Sequence, residues 1–388
     1  MNAPLRSRYR TVVVGAGVLG LFTALHLARA GGGPILVIDR GFLSSGASGR
    51  NGGGVRQQWE TRATIRLARE SVALYRTFGR EFGYNIWFRQ GGYLFLAANQ
   101  VEMDSLERVH TAVRGEGLRS ELLRPAQVAQ RFEGLNTEGL VGASYLSSDG
   151  TLYPFPAVWA LYEATRSLGV EVVLGREVSG VAQQDGRVVG VVTRSGTIPT
   201  ETLVNAAGGW SGDISRMAGL EVPNVATRHE ILATEPLKPF LDPMVARLGD
   251  GLYVSQTMRG ELVGGITMAH RPGTRVGMPS SPEFLRRMSV AILELFPALA
   301  SVGILRAWTG FYDDLPDGFP VIGEDPRLAG FVHANGFGGH GFMLAPAASR
   351  RVAQAVLGET TDLDPKLFHP VRFLDPQRPT TSERLQLG

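Results

Sequence analysis

Arg10-Thr11-Val12-Val13-Val14-Gly15-Ala16-Gly17-Val18-Leu19-Gly20 is the stretch that decides the fold. A β-branched apolar run suits a buried strand, three glycines interrupt it, and an apolar helical pattern continues through Leu21 to Ala30. Gly15 can make the tight turn, Gly17 lets the backbone come close to a pyrophosphate, and Gly20 lets the helix press on the strand. A second strand is expected over Ile35 to Ile38, ending on Asp39. That places a carboxylate about twenty residues past the last glycine, where a ribose hydroxyl needs an acceptor. Strand, phosphate loop, helix and acid together predict a dinucleotide site.

The rest of the chain is consistent with a large globular protein. Its 388 residues are 44% hydrophobic and 19% charged, enough for two domains. The formal charge of +3 is spread along the chain, so composition gives nucleic-acid binding no support. Lys238 and Lys366 are the only lysines. With no cysteine there is no disulfide framework, no thiolate metal site and no thioether link to a cofactor, and no metal site of any kind is expected. Redox chemistry would have to come from a bound cofactor. No secretory signal and no uninterrupted apolar span is read, which makes the cytoplasm the default location.

Further along, residues 41–59 form a glycine and hydroxyl stretch that includes Gly46, Ala47, Ser48, Arg50, Asn51, Gly52, Arg56 and Trp59. Two arginines, an asparagine and two glutamines in such a loop suggest backbone donors brought near something anionic or flat. Periodicity predicts helices over 61–82, 101–116, 125–132, 155–168, 282–295 and 344–357. Strands are expected over 86–98, 141–146, 170–174, 202–210, 228–233, 251–256, 261–267, 305–312 and 330–334. A hairpin is expected about Asp185-Gly186. The run ending in Ala206-Ala207-Gly208 suits a strand beside the first one, under the cofactor. A second glycine loop, residues 335–342, opens the last helix and offers another positive dipole end to the same ligand.

Two glycine loops at opposite ends of the chain are more than a nicotinamide enzyme needs, and a flavin dinucleotide fits better. Taken in order, Gly15-Ala16-Gly17-Val18-Leu19-Gly20, Gly46-Ala47-Ser48, Ala206-Ala207-Gly208-Gly209-Trp210 and Gly338-Gly339-His340-Gly341-Phe342 resemble the D-amino-acid oxidase and sarcosine oxidase superfamily. Within it, Val55-Arg56-Gln57-Gln58-Trp59, Gly91-Gly92-Tyr93-Leu94-Phe95-Leu96, the segment 305–312 and the segment 339–346 are similar to the β subunits of dye-linked L-proline dehydrogenase and heterotetrameric sarcosine oxidase. The resemblance implies an α/β fold: a Rossmann-type FAD-binding domain of the glutathione-reductase/D-amino-acid-oxidase kind, with an interleaved α+β substrate domain on a mixed or antiparallel sheet. The expected division gives residues 1–86, 150–222 and 318–370 to the FAD domain and 87–149 and 223–317 to the substrate domain. Residues 371–388 are expected to form a tail that frays or lies on a neighbour.

The resemblance also implies non-covalent FAD and oxidation of an amine carbon next to a carboxylate, with hydride passing to flavin N5 and an imine left to hydrolyse. Secondary or cyclic amino acids are the expected substrates: proline, hydroxyproline, sarcosine or an opine. The cofactor set it implies joins Gly15, Gly17, Val18 and Gly20 to Asp39 and Arg40, and then to Gly46, Ala47, Ser48, Arg50, Asn51 and Gly52. Val178, Ala207, Gly208 and Trp210 follow, with Gly338, Gly339, His340, Gly341, Phe342 and Met343 closing the set. Arg56 is expected to clamp the substrate carboxylate, because a guanidinium binds one bidentately. Tyr253 and Tyr312 match pocket tyrosines of the family and could also be core tyrosines; His229 matches a histidine of the proline dehydrogenase β subunit.

Three departures from the family pattern bear on function. Pro154 stands where a histidine holds covalent FMN in heterotetrameric sarcosine oxidase, Leu262 where monomeric sarcosine oxidases carry a lysine, and Met343 where they carry a second carboxylate-binding cation. The first puts a covalent flavin in doubt, the second an oxidase activity, and the third lets the pocket accept a different or bulkier acid; the expected function is a dehydrogenase subunit, working with other subunits or a separate electron acceptor, beside two alternatives. One is a stand-alone oxidase making hydrogen peroxide; the other is a flavin-binding assembly or electron-carrier component with no substrate site.

Overall fold

The computed structural model describes residues 5–268, 279–374 and 382–383. Two eight-stranded sheets organise it. In the first, the order is Val321–Glu324, Phe331–Asn335, Gly196–Asn205, Tyr9–Val14, Ile35–Ile38 and Glu171–Val173, with the hairpin Val178–Gln184 and Arg187–Thr193 extending from Gly196–Asn205. The central strands are parallel: Val14 lies opposite both Asn205 and Ile38, so three strands end at one level. Ligands of open parallel sheets bind at such carboxyl ends, and here Gly15, Asp39 and Ala206 follow directly.

The second sheet runs Ile304–Asp314, Val225–Pro236, Glu261–Gly265, Leu252–Gln256, Met244–Arg247, Tyr93–Ala97, Gly142–Leu146 and Glu121–Leu123. It is antiparallel except where Met244–Arg247 pairs parallel to Tyr93–Ala97, so the sheet is mixed. Alternation along its strands separates two faces. Ile231, Ala233, Val263 and Tyr253 join the core shared with the helices Val18–Arg29, Arg62–Phe82 and Gly341–Leu357. Leu232, Val254 and Leu262 join a second core, closed by Phe284, Met288 and Ile292 of the helix Pro282–Leu295.

The helix Arg62–Phe82 starts where Thr61 caps it and stops at Gly83, whose φ of +72° suits glycine. The strand expected over 86–98 is shorter than its alternation suggests. Tyr93–Ala97 is the part that forms a strand of the sheet; Trp87 and Gly92, with φ of +50° and +91°, turn the preceding chain away, and there Arg89 makes an isolated bridge to Thr151. The segment after 370 also departs from expectation: Pro370–Phe373 forms a 3-10 turn, and Arg372 and Glu383 are buried. Among the described residues no helix is long and apolar enough to cross a membrane, and no group of His, Asp or Glu could hold a metal ion.

Candidate active site

The first glycine loop leaves no room for side chains. At Gly15, φ is +112° and an added Cβ would lie 2.3 Å from the Ala206 carbonyl oxygen. A Cβ at Gly20 would lie 1.9 Å from the Gly15 carbonyl oxygen, so the helix Val18–Arg29 can press on the strand only with glycine there. A Cβ at Gly17 would come within 3.0 Å of Ser48 Oγ, which accepts from the Val18 N–H at 2.9 Å. The Asp39 carboxylate accepts from the Ala16 and Gly41 N–H groups at 2.8 and 2.7 Å, tying the loop to the second strand.

These elements wall a cavity of about 790 Å³. One end carries Asp39, Arg40, Val178 and Trp210, with the Arg40 guanidinium 4.1 Å from the Trp210 ring. Gly17, Val18, Gly46, Ala47, Ser48, Asn51 and Gly52 line the wall, as do Ala207 and Gly208. Gly338, Gly339, Gly341, Phe342 and Met343 line it where the helix Gly341–Leu357 begins. A flavin dinucleotide fits this donor set: a glycine cradle that any Cβ would narrow, an acidic acceptor at Asp39, and two helix N-termini facing one cavity.

The remaining wall comes from the second sheet. His229 lies opposite Gly310 across the strand pair, and its ring stacks on Tyr312 at 4.4 Å and on Tyr253 at 5.7 Å. The two tyrosine hydroxyls are hydrogen-bonded to each other. Gly265 makes room for them, since a Cβ there would lie 2.9 Å from both His229 Nε2 and Tyr253 Oη. Burial pushes the His229 imidazole down to about 4 and holds both hydroxyls above their ordinary value, so the cluster is uncharged at neutral pH. Among the described residues His229 Nε2 has no hydrogen-bond partner. Arg50 also lines the cavity, its guanidinium donating to the Ser45 and Thr309 carbonyls at 2.8 and 3.0 Å.

Arg56 is not part of that wall, which corrects the expectation of a carboxylate clamp. It is 0% exposed, donates to the Gln58 carbonyl at 2.7 Å, lies 3.9 Å from the Trp59 ring and meets His340 Nε2 at 3.1 Å. His340 is likewise behind the wall, edge-on to Trp59 at 4.6 Å. Gly20 sits outside the cavity as well, where it sets the helix against the strand. Leu262 faces the second core, away from the cavity; its neighbours Val263 and Gly265 hold the cavity-side face of that strand.

The sequence reading missed Tyr93, Ile231 and Met244, which line the cavity beside Tyr253. A signal for Tyr93 existed. In Tyr93-Leu94-Phe95-Leu96 the period of two puts the aromatic residues on one face, and Tyr93 carries the only polar tip among them. Met244 had no such signal, because its four-residue strand pairs only through tertiary contact.

A dinucleotide cradle at the end of a parallel sheet, facing an uncharged aromatic cluster on a mixed sheet, defines a flavoprotein oxidoreductase. The match is specific: residues 10–355 fit the family described as FAD dependent oxidoreductase (DAO), and the chain belongs to that family. The protein is therefore an FAD-dependent oxidoreductase. It is 30% identical over 358 residues to sarcosine oxidase subunit beta of Rhodobacter capsulatus, spanning 90% of this chain and 85% of that protein. Among solved structures, L-proline dehydrogenase from P. horikoshii superposes with a TM-score of 0.89 at 33% identity, covering 95% of this chain and 99% of the other. Glycine oxidase from Geobacillus kaustophilus gives 0.86 at 25% identity, covering 93% and 98%.

Proposed function

We propose that this chain oxidises the carbon–nitrogen bond of a secondary or cyclic amino acid, of the proline, hydroxyproline, sarcosine or opine type, to the imine, as the FAD-binding subunit of a dehydrogenase. The observation that carries the reading is the uncharged cluster of His229, Tyr253 and Tyr312 facing the same cavity as the dinucleotide cradle. Two similar proteins named for sarcosine and L-proline support the substrate class. Similarity to a β subunit supports a hetero-oligomeric assembly.

FAD, when bound, supplies an acceptor for the hydride that leaves the carbon beside the nitrogen. The loop from Gly15 to Val18, with Ser48 and Asp39, would hold its dinucleotide part, and the N-terminus of the helix Gly341–Leu357 supplies a positive end for developing negative charge. Attachment is non-covalent in this reading, because the chain has no cysteine and Pro154 has no nucleophilic atom. Hydride leaves readily only when the substrate nitrogen is uncharged. The neutral His229 ring presents Nε2 as an acceptor for the amine N–H, and the stacked tyrosines fix the ring's plane. Released imine hydrolyses in water without help from the protein.

The test is anaerobic mixing of the FAD-loaded protein with proline, hydroxyproline, sarcosine and an opine. Loss of the flavin's visible absorbance with at least one of them is the expected result. No bleaching by any of them, in protein that dithionite does reduce, overturns the substrate class and favours the electron-carrier alternative.

A further inference from the structure

Resting on the reading above, we infer that the Tyr93 hydroxyl is the donor that holds the substrate carboxylate, with Arg56 acting on it from behind. With Arg56 outside the cavity wall, the carboxylate has to be met by other donors. Tyr93 is 0% exposed, lines the cavity, and among the described residues its hydroxyl has no hydrogen-bond partner. A buried hydroxyl without a partner is costly, and native sites keep one where a ligand completes it.

The chemistry of the surroundings selects the ligand group. Burial holds the phenol protonated, pushed up to about 12, so it offers a proton to an acceptor. Behind it the Arg56 guanidinium lies 5.2 Å from the Phe95 ring, which stacks on Tyr93 at 5.0 Å. Gln58 links the two residues: its carbonyl accepts from Arg56 at 2.7 Å, and its Nε2 donates to the Tyr93 carbonyl at 3.0 Å. A fixed positive charge behind an O–H donor strengthens donation to an anion and disfavours a cationic ligand group. Tyr93 and His229 thus divide an amino acid between them, the hydroxyl taking the carboxylate and the imidazole the amine.

Packing keeps Tyr93 in place. A Cβ at Gly54 would meet its ring at 3.4 Å and Met244 at 3.0 Å, so the phenol is held between the glycine loop and the sheet. Its role is therefore to contact and position the substrate, with no proton exchanged.

The experiment compares the FAD-loaded wild type with Tyr93→Phe, which removes one oxygen and no packing. The probe is tetrahydrofuran-2-carboxylate, a ring carboxylate with no amine to oxidise, followed by its thermal shift and its perturbation of the flavin spectrum. Expected are equal flavin content, a ligand-free melting temperature no lower than wild type, and probe binding weakened about tenfold or more. KM for a secondary amino acid that reduces the flavin should rise alongside, with kcat changed far less, and KM for pyrrolidine, which has no carboxylate, should stay put. Equal probe affinity in the two proteins overturns the inference. Probe binding that depends on Tyr93 in a protein that no amino acid reduces leaves the inference standing and sinks the oxidation reading. No probe binding by wild type overturns the inference, and the oxidation reading is then decided by flavin bleaching alone.

Discussion

Arg56 shows what one residue does and does not reveal in sequence. Its presence in a glycine-rich loop was legible, and so was the need for a cation near the substrate. Which side of the loop it takes was not. It follows the two-residue strand Gly54–Val55, and the buried partners Gln58, Trp59 and His340 that draw it inward include one from 284 positions away. The glycines were readable because each carries a steric demand: at Gly15 and Gly20 a side chain would collide with backbone, and at Gly17 it would press on the Ser48 hydroxyl. The burial of Arg56 changes what its mutation does. Arg56→Met keeps the volume yet strips the Gln58 carbonyl and the His340 ring of a charged donor, a loss of about 1–3 kcal/mol. His340 immediately precedes the helix Gly341–Leu357, so the disturbance reaches the cofactor wall. A lower melting temperature and a lower flavin-to-protein absorbance ratio after gel filtration are expected. If both are unchanged and only the substrate KM rises, the clamp role returns to Arg56.

Among the elements, long amphipathic helices were legible, as was the apolar β-branched strand Ile35–Ile38, but three other short strands were not. The helix Arg62–Phe82 was expected over 61–82, because its apolar residues repeat at helical spacing and Thr61 caps it. Met244–Arg247, Glu121–Leu123 and Val321–Glu324 have three or four residues each, too few for a period to register, and the first and last directly follow a proline. The tail also gained its order from distant partners. Glu383 accepts from the Glu60 and Thr61 N–H groups at 2.8 and 3.2 Å and from Thr61 Oγ1 at 2.9 Å, so from 322 positions away it holds the residue that caps the helix Arg62–Phe82. Its own N–H donates to the Asp317 carbonyl at 3.0 Å, and the Asp317 carboxylate pairs with buried Arg372 at 2.9 Å. Glu383→Ala is therefore expected to cost about 1–3 kcal/mol, the range for leaving such donors without their acceptor, and Glu383→Gln less. Denaturant midpoints measure both. Equal midpoints for all three proteins would mean that the tail does not hold this position in solution.

At the scale of the whole molecule, the question is where the electrons go. Leu262 was matched to the lysine position of the oxidases, but strand side chains alternate, so a slip of one residue moves a position to the opposite face. Val263 and Gly265 take the opposite face of that strand, Val263 in the first core and Gly265 against His229 and Tyr253, while Leu262 belongs to the core behind the sheet. The conclusion about lysine survives this correction on different grounds. The chain has two lysines, Lys238 and Lys366, and both are exposed on the surface. Reduction of dioxygen begins by placing an anion in a low-dielectric cavity, and a compact ammonium beside it lowers that barrier most. Of the arginines that line the cavity among the described residues, Arg50 lies over Gly310, opposite His229, and already has its guanidinium engaged by the Ser45 and Thr309 carbonyls; Arg271 lies outside the described residues. Substrate-reduced protein is accordingly expected to react with a dye acceptor at least tenfold faster than with dioxygen in air-saturated buffer. Stopped-flow absorbance of the returning flavin, with a peroxide assay alongside, makes the comparison. If dioxygen matches the dye and peroxide appears in step with substrate loss, the chain works alone as an oxidase. The proposal of a dehydrogenase subunit passing electrons to a partner then falls.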